Sequence, residues 1–579
     1  MAEQNARIPS HEVASERASL SLVGKDGIPG PAAAVTKPVR QAKSEPAPTE
    51  TKDGWREIVE TVVFVVVLVL LLKSFVAEAF VIPTGSMAET LYGYQKLVSC
   101  PKCGYEFPVN CSCEVDPQQG PPTPVVACTC PNCRYAIDFA HEGIDPSWHT
   151  GDRVLVAKFL YDLGALGLDM PRRHDVVVFK YPNEPQKGHV PMNYIKRLIG
   201  LPGETIAIHR GKLYVLDSLK YDDSQAPELD RWERHYMHID DAEAQKLFRE
   251  GKFHMLRKSP LEIMAVRRLV FDNEHQPKDL IGKAPPRWAA DGSAGAWKAD
   301  DPQAPKQFQH AASQDAAVAW LRYRHLTPLD HDRQHVAPDL ITDFMGYNTW
   351  EEKRGNHSPP AQDWVGDLMV ECEVQVEEAR GALILELSKG VDRFQARWDL
   401  TSGVCTLVRS ADGKETTLES KETLLKRPGK YRLRFADFDE RLTVWVDSAL
   451  PFGDGVVYKA PSRSGPTREN DLQPASVGVR QGTVTVSRLK IWRDTYYTVN
   501  INFSDAPAGV RFDQPETWDD LGDLPVRTMY IQPNHFLCLG DNSRESSDGR
   551  SWGTVPKRLM LGRALMIYYP LNGRAGRIE

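Results

Sequence analysis

Apolar and polar positions alternate differently in successive stretches of the chain. Residues 1–54 mix Ala, Pro, Ser, Glu and Lys without a sustained apolar period. So little apolar surface cannot offset the entropy of ordering, and a disordered tail is expected. The run TVVFVVVLVLLL from Thr61 to Leu72 is uninterrupted, with Glu60 and Lys73 at its ends, and it predicts a transmembrane helix over 55–79. The clean run is shorter than the ~20 residues a span needs, but both flanking charges sit where they reach the interface. A helix buried in a soluble domain would show a polar face, and a cleaved export signal would not follow a long polar tail. Lys43, Lys52 and Arg56 precede the run closely and only Lys73 follows it, so the tail is expected in the cytoplasm and the remainder outside a single-pass anchor.

Further on the period changes to two. Asp367–Val376, Phe394–Leu400, Tyr431–Phe435 and Leu442–Val446 alternate apolar with polar residues, with a turn cluster at Ala436–Arg441. Short alternating runs separated by turn clusters predict an antiparallel β-sandwich over 266–498. The fold class is therefore mainly β. With 579 residues, several domains are expected. A net charge of −7 with 26% charged residues argues against a general nucleic-acid binder.

Seven of the ten cysteines lie between Cys100 and Cys133. Cys100-Pro-Lys-Cys103 and Cys130-Pro-Asn-Cys133 are paired Cys-x-x-Cys knuckles, the arrangement that surrounds a structural zinc ion with four thiolates. Cys111, Cys113 and Cys128 keep a disulfide-stapled module open as the alternative.

Directly after the apolar run stands Phe80-Val81-Ile82-Pro83-Thr84-Gly85-Ser86-Met87. Three more segments follow in order: Gly151-Asp152-Arg153-Val154-Leu155-Val156; Tyr194-Ile195-Lys196-Arg197 continuing to Glu204; and Gly540-Asp541-Asn542-Ser543 continuing to Asp548. Together these resemble the four boxes of the bacterial type I signal peptidases, over roughly a third of the chain. Any one box alone would be an ordinary loop. The resemblance implies an all-β catalytic fold in three parts: 80–99 with the nucleophile box, 141–220 with the lysine box, and 499–579. Between them would lie a zinc-ribbon-like insert at 100–140, a linker at 221–265, and the sandwich at 266–498, similar to concanavalin-like and laminin-G-like jelly rolls.

In chemical terms the resemblance implies a serine endopeptidase with Ser86 as nucleophile and Lys196 as general base, needing no cofactor for catalysis. Half deprotonation of a lysine at pH 7 requires a fall of about 3 pKa units, for which burial is the obvious cause. Ser546 would bond the Lys196 amine, and the backbone N–H of Ser86 with the Thr84 hydroxyl would receive the oxyanion. Asp548 and Arg550 would form a buried pair beside the dyad, with Asp541 structural as well. Phe80, Ile82 and Ile195 would line pockets for small side chains. Ser543 stands where the family usually has arginine. Outside this pattern, Lys196 reads as a solvated lysine beside Arg197, and Ser546 as a turn serine. A serine/histidine pair using His174, His189 or His535 has no motif behind it.

The implied partners are exported preproteins bearing signal peptides, together with membrane lipid, at the outer, periplasmic face of the cytoplasmic membrane. A different class of reading keeps the boxes as an inert scaffold, in a membrane-displayed binding protein whose sandwich contacts a glycan or an envelope protein.

Overall fold

The structure, a computed structural model, describes residues 54–71, 77–117, 120–158, 161, 171–182, 192–221, 236–291, 297–312, 316–328, 333, 335–351, 362–411, 413–460, 465–571 and 573–578. The tail expected at 1–54 lies outside them but for its last residue. The chain divides into two units between Val66 and Val67. The apolar run forms the helix Gly54–Leu71, with no buried residue. Its first turns carry Arg56, Glu57 and Glu60, and among the described residues no helix is long and apolar enough to cross a membrane. The expected extent of 55–79 is also corrected at its C-terminal side. Ala77–Val81 is a strand that pairs antiparallel with Arg153–Ala157, and the ladder captures Ala79 and its neighbours.

The described residues are mainly β, in four large antiparallel sheets and three small ones. One sheet runs Ala77–Val81, Arg153–Ala157, Met560–Tyr569, Val176–Lys180, Asn193–Gly200, His535–Leu539, Val555–Pro556. Strands from the two ends of the described chain, such as Arg153–Ala157 and Met560–Tyr569, pair side by side, so the sheet is assembled from distant parts of the sequence. Its apolar faces form two buried clusters, one around Ile82, Met87, Leu91, Val154 and Val176 and the other around Phe179, Leu198, Phe536 and Trp552. A second sheet runs His254–Met255, Lys212–Leu216, Thr205–His209, Val526–Tyr530. The segment read as a linker at 221–265 thus contributes a strand, along with the helices Ala242–Arg249 and Pro260–Val266. The second helix starts in a capping box made by Ser259 and Glu262, which satisfies two N-terminal donors at once.

Two further large sheets share one apolar core. One centres on Leu368–Val376, flanked by Gly429–Phe438 and Val484–Arg493, and the other on Ala382–Lys389 and Asp392–Asp399. Alternation delivers Val370, Cys372 and Val374 to the core, with Leu383, Leu385 and Trp398 facing them. The strand Gly429–Phe438 continues through half of the expected turn cluster, and the reversal comes at Asp439 and Glu440, both at positive φ. This region begins and ends on one ladder, where Arg268 stands opposite Arg493. The cysteine module also differs from its expected bounds, because Gln95–Ser99 pairs with Glu106–Asn110 and with Trp148–His149 instead of joining the large catalytic-side sheet.

Candidate active site

Ser86 sits in the loop that leaves the strand Ala77–Val81. The loop is pinned by Ile82 N–H on Asp152 O (2.9 Å) and by Tyr94 N–H on Pro83 O (3.3 Å), while Met87 and Leu91 are buried behind it. Lys196 lies on the strand Asn193–Gly200, between Val176–Lys180 on one side and His535–Leu539 on the other. Lys196 is 2% exposed, and its Nζ stands 2.6 Å from Ser86 Oγ and 3.1 Å from Ile195 O. The Tyr194 ring lies 5.3 Å from the amine. Burial pulls the Lys196 amine down to about 8, against the opposing pull of Asp548. A neutral amine touching a hydroxyl can take its proton.

The opposite face of that strand carries Arg197, which donates through Nε (2.8 Å) and Nη2 (2.7 Å) to the two oxygens of Asp541. Asp541 also accepts from Thr90 Oγ1 at 2.6 Å, which ties the nucleophile segment to the last box. Burial alone would raise the Asp541 carboxyl, but Arg197 holds it below the ordinary value. Asp548 and Arg550 form a second ion pair, closed to water, at 2.7 and 2.9 Å. Ser543 takes part in it, accepting from Arg550 Nη1 at 2.6 Å and from Thr498 N–H at 3.0 Å. The neighbouring Arg544 reaches away to Asp343 and Asp363. A small hydroxyl at 543 therefore serves as an acceptor for Arg550, a place an arginine could not fill.

The expected bond from Ser546 to Lys196 is absent. Ser546 is buried, and its hydroxyl has no hydrogen-bond partner. It lies over Gly540, where an added Cβ would sit 2.0 Å from Ser546 Oγ and 2.5 Å from the Ser86 carbonyl oxygen. Ser546 is thus packed against Gly540, beside the Ser86 carbonyl. Thr84 is partly buried two residues before Ser86. Phe80, Ile82 and Ile195 join one apolar cluster; Ile82 is fully buried in it and the other two partly so. His174 pairs with Glu262, His535 Nδ1 faces the Pro533 carbonyl, and His189 is outside the described residues.

Reading the boxes alone did not single out Asn542, whose backbone N–H donates to Ser86 O at 3.1 Å and whose Nδ2 donates to Gly85 O at 3.0 Å. Its place in the Gly-Asp-Asn segment was signal enough to find it. Tyr347 and Asn348, which also reach this loop, had no such signal.

In the cysteine module, Cys100 and Cys133 Sγ are 3.6 Å apart and Cys103 and Cys130 Sγ 3.7 Å. All four are buried, with their sulfurs within 4.8 Å of one another. Tetrahedral thiolates about 2.3 Å from one ion would be about 3.8 Å apart, whereas a disulfide needs about 2.05 Å. The four residues fit a metal ion. Arg333 Nη1 stands 3.6 Å from Cys133 Sγ, a cation suited to an electron-rich sulfur.

A serine hydroxyl in contact with a buried, weakly basic lysine is the arrangement of a serine/lysine hydrolase. Residues 134–259 and 476–569 match the family described as Signal peptidase, peptidase S26. Over these two segments the chain carries the sequence of that family, with Lys196, Asp541, Ser546, Asp548 and Arg550 inside them and Ser86 before the first. Signal peptidase I of Pseudomonas aeruginosa is 44% identical over 78 residues, 12% of this chain and 26% of that protein. Signal peptidase I of Rickettsia akari is 26% identical over 175 residues, 30% of this chain and 46% of that protein. The chain spans less than half the length of these curated relatives. Among solved structures, a carbohydrate binding module from Bacillus subtilis shares 11% identity and a TM-score of 0.22, covering 35% of this chain and 94% of that one, a likeness too slight to assign a ligand.

Proposed function

We propose that this protein is a membrane-anchored signal peptidase that cuts the leader from exported preproteins. The contact between Ser86 Oγ and the Lys196 amine carries the reading. In the proposed reaction, neutral Lys196 takes the Ser86 proton as Oγ attacks the scissile carbonyl. The oxyanion is received by the Ser86 N–H and the Thr84 hydroxyl, and the lysinium returns its proton to the leaving amine. Water then hydrolyses the acyl-enzyme with the same base. The apolar cluster holding Phe80, Ile82 and Ile195 supports small pockets that favour an Ala-x-Ala-like cleavage site.

The helix Gly54–Leu71 supports the anchor, since Val62 to Leu71 are each 42–66% exposed and so much apolar surface is unfavourable in water. Anchoring enzyme and membrane-held substrate in one bilayer raises their effective concentration. In liposomes, the full-length protein should cleave a preprotein with alanine at the third and first positions before the cut and spare one with a bulky residue in the first. An uncut preprotein, or cutting that ignores that residue, overturns the proposal. Removal of the protein from the vesicles by alkaline carbonate overturns the anchor.

Cys100, Cys103, Cys130 and Cys133 are proposed to hold a structural zinc ion, for which the distances between their sulfurs are the support. Purified protein should contain about one zinc per chain, and Cys130→Ser should lose it. Two disulfides found by mass spectrometry in place of four alkylatable thiols would contradict this.

The intact dyad weighs against the alternative of an inert scaffold displaying its sandwich to a glycan or envelope protein.

A further inference from the structure

We infer that a turn of the inserted β-region, Tyr347-Asn348, is a positioning device for the nucleophile. The inference rests on the peptidase reading and assigns this region a part in it.

The peptide group between Gly85 and Ser86 carries the Gly85 carbonyl at one end and the Ser86 N–H at the other, and in a trans peptide these point in opposite directions. Fixing the carbonyl therefore aims the N–H proposed to receive the oxyanion. The Gly85 carbonyl is held by Asn542 Nδ2 at 3.0 Å, and the following carbonyl, of Ser86, by Asn542 N–H at 3.1 Å. Asn542 is itself fully buried and could turn its amide without further restraint. That restraint comes from the insert. Asn348 Nδ2 donates to Asn542 Oδ1 and Asn542 Nδ2 donates to Asn348 Oδ1, both at 2.8 Å. The reciprocal pair couples the Asn542 amide to Asn348, and together with the Gly85 bond it uses both amide hydrogens of Asn542.

The adjacent Tyr347 ring closes the other side. A Cβ on Gly85 would stand 2.3 Å from a ring carbon of Tyr347, so the glycine is needed for space and the loop cannot shift toward the ring. Tyr347 is 2% exposed and packs with Tyr92, ring centroids 5.2 Å apart. The turn is braced in its own right. Thr349 Oγ1 accepts from Thr129 N–H at 2.7 Å and donates to Gly346 O at 2.8 Å, and Arg544 bonds Asp343 at 2.7 Å. The Thr129 bond reaches the cysteine module, so two inserted parts of the chain converge behind Ser86.

A group that only holds the fold together would, when removed, lower stability and leave the turnover of folded enzyme alone. A group that aims the oxyanion donor acts in the transition state. Losing such a donor outright costs about 10²–10³ in kcat, and loosening one should cost about tenfold with KM unchanged.

The test uses the full-length protein in liposomes with a preprotein substrate and a peptide boronate inhibitor, whose tetrahedral adduct needs the oxyanion donors. For Asn348→Ala, kcat should fall about tenfold at constant KM, and boronate affinity should fall in parallel while the affinity for cleaved leader peptide stays the same. Should Asn348→Ala fail to fold, Asn348→Asp takes its place. It keeps the shape but sets a carboxylate oxygen against Asn542 Oδ1, and the same pattern is expected. Wild-type turnover with kcat of the folded variant within twofold, or with KM and leader affinity carrying the change, overturns the inference alone. A wild type without turnover overturns the peptidase reading and the inference together.

Discussion

Lys196→Ala and Ser86→Ala are each expected to reduce preprotein cleavage by about six orders of magnitude while the protein remains folded. The amine and the hydroxyl act as one unit, so removing either removes covalent catalysis, and only binding and oxyanion stabilisation persist. Lys196→Arg should be equally inactive, because a guanidinium stays charged at any accessible pH. The same amine sets the pH dependence. With its value held near 8 by burial, kcat/KM of the wild type should climb about tenfold per pH unit below 8 and level off above it, as the fraction of neutral lysine does. Steady-state kinetics from pH 6 to 10 check both. Cleavage by Lys196→Ala at the wild-type rate, or a profile flat through pH 8, would remove the lysine from the mechanism.

Arg550→Met is expected to destabilise the protein by about 3–5 kcal/mol, the usual consequence of leaving a buried charge without its partner. Asp548 and Arg550 are both closed to solvent, and Asp548 Oδ2 also accepts the Gly540 N–H at 3.0 Å. Arg550 spends its remaining donors on Ser543 and on Thr498, at the point where the chain returns from the sandwich. Its loss would free the segment that carries Asn542 and Ser546. A denaturant midpoint for the wild type and the variant measures the effect. Replacing Lys421, whose pair with Glu419 is about half exposed, should leave the midpoint in place, because water screens such pairs. Equal midpoints for wild type and Arg550→Met would contradict the account.

The parts of this molecule that announced themselves in the sequence are those with local signatures. Period-two alternation marks Leu368–Val376 as a strand with Cys372 facing inward, and the structure places it so. The paired Cys-x-x-Cys knuckles likewise end with their sulfurs together. Ser86 and Lys196 are 110 residues apart, and no spacing rule could join them; only the ordered boxes did. The apolar run was legible as a helix but its end was not, because the strand at Ala77 depends on pairing with Arg153–Ala157, far along the chain. Within the linker expected at 221–265, the helices Ala242–Arg249 and Pro260–Val266 and the two-residue strand His254–Met255 are too short to show a sustained period. Ser546 lies against Gly540, and the bond expected from it to Lys196 is not formed. Asn348 was invisible for a plainer reason: an asparagine in a loop carries no pattern, and its partner is 194 residues away. Contacts of that kind belong to the folded chain alone.

Because Arg268 and Arg493 face each other as neighbours on one ladder, the chain leaves the catalytic part and re-enters it at nearly the same point, about 5 Å apart. Such a gap is the size a short hairpin spans, so excising the whole region and closing the break would look harmless on geometric grounds. The amide pair behind Ser86 makes it otherwise. Without this region the loop of Ser86 would lose Tyr347 against Gly85 and the bond from Asn348 to Asn542.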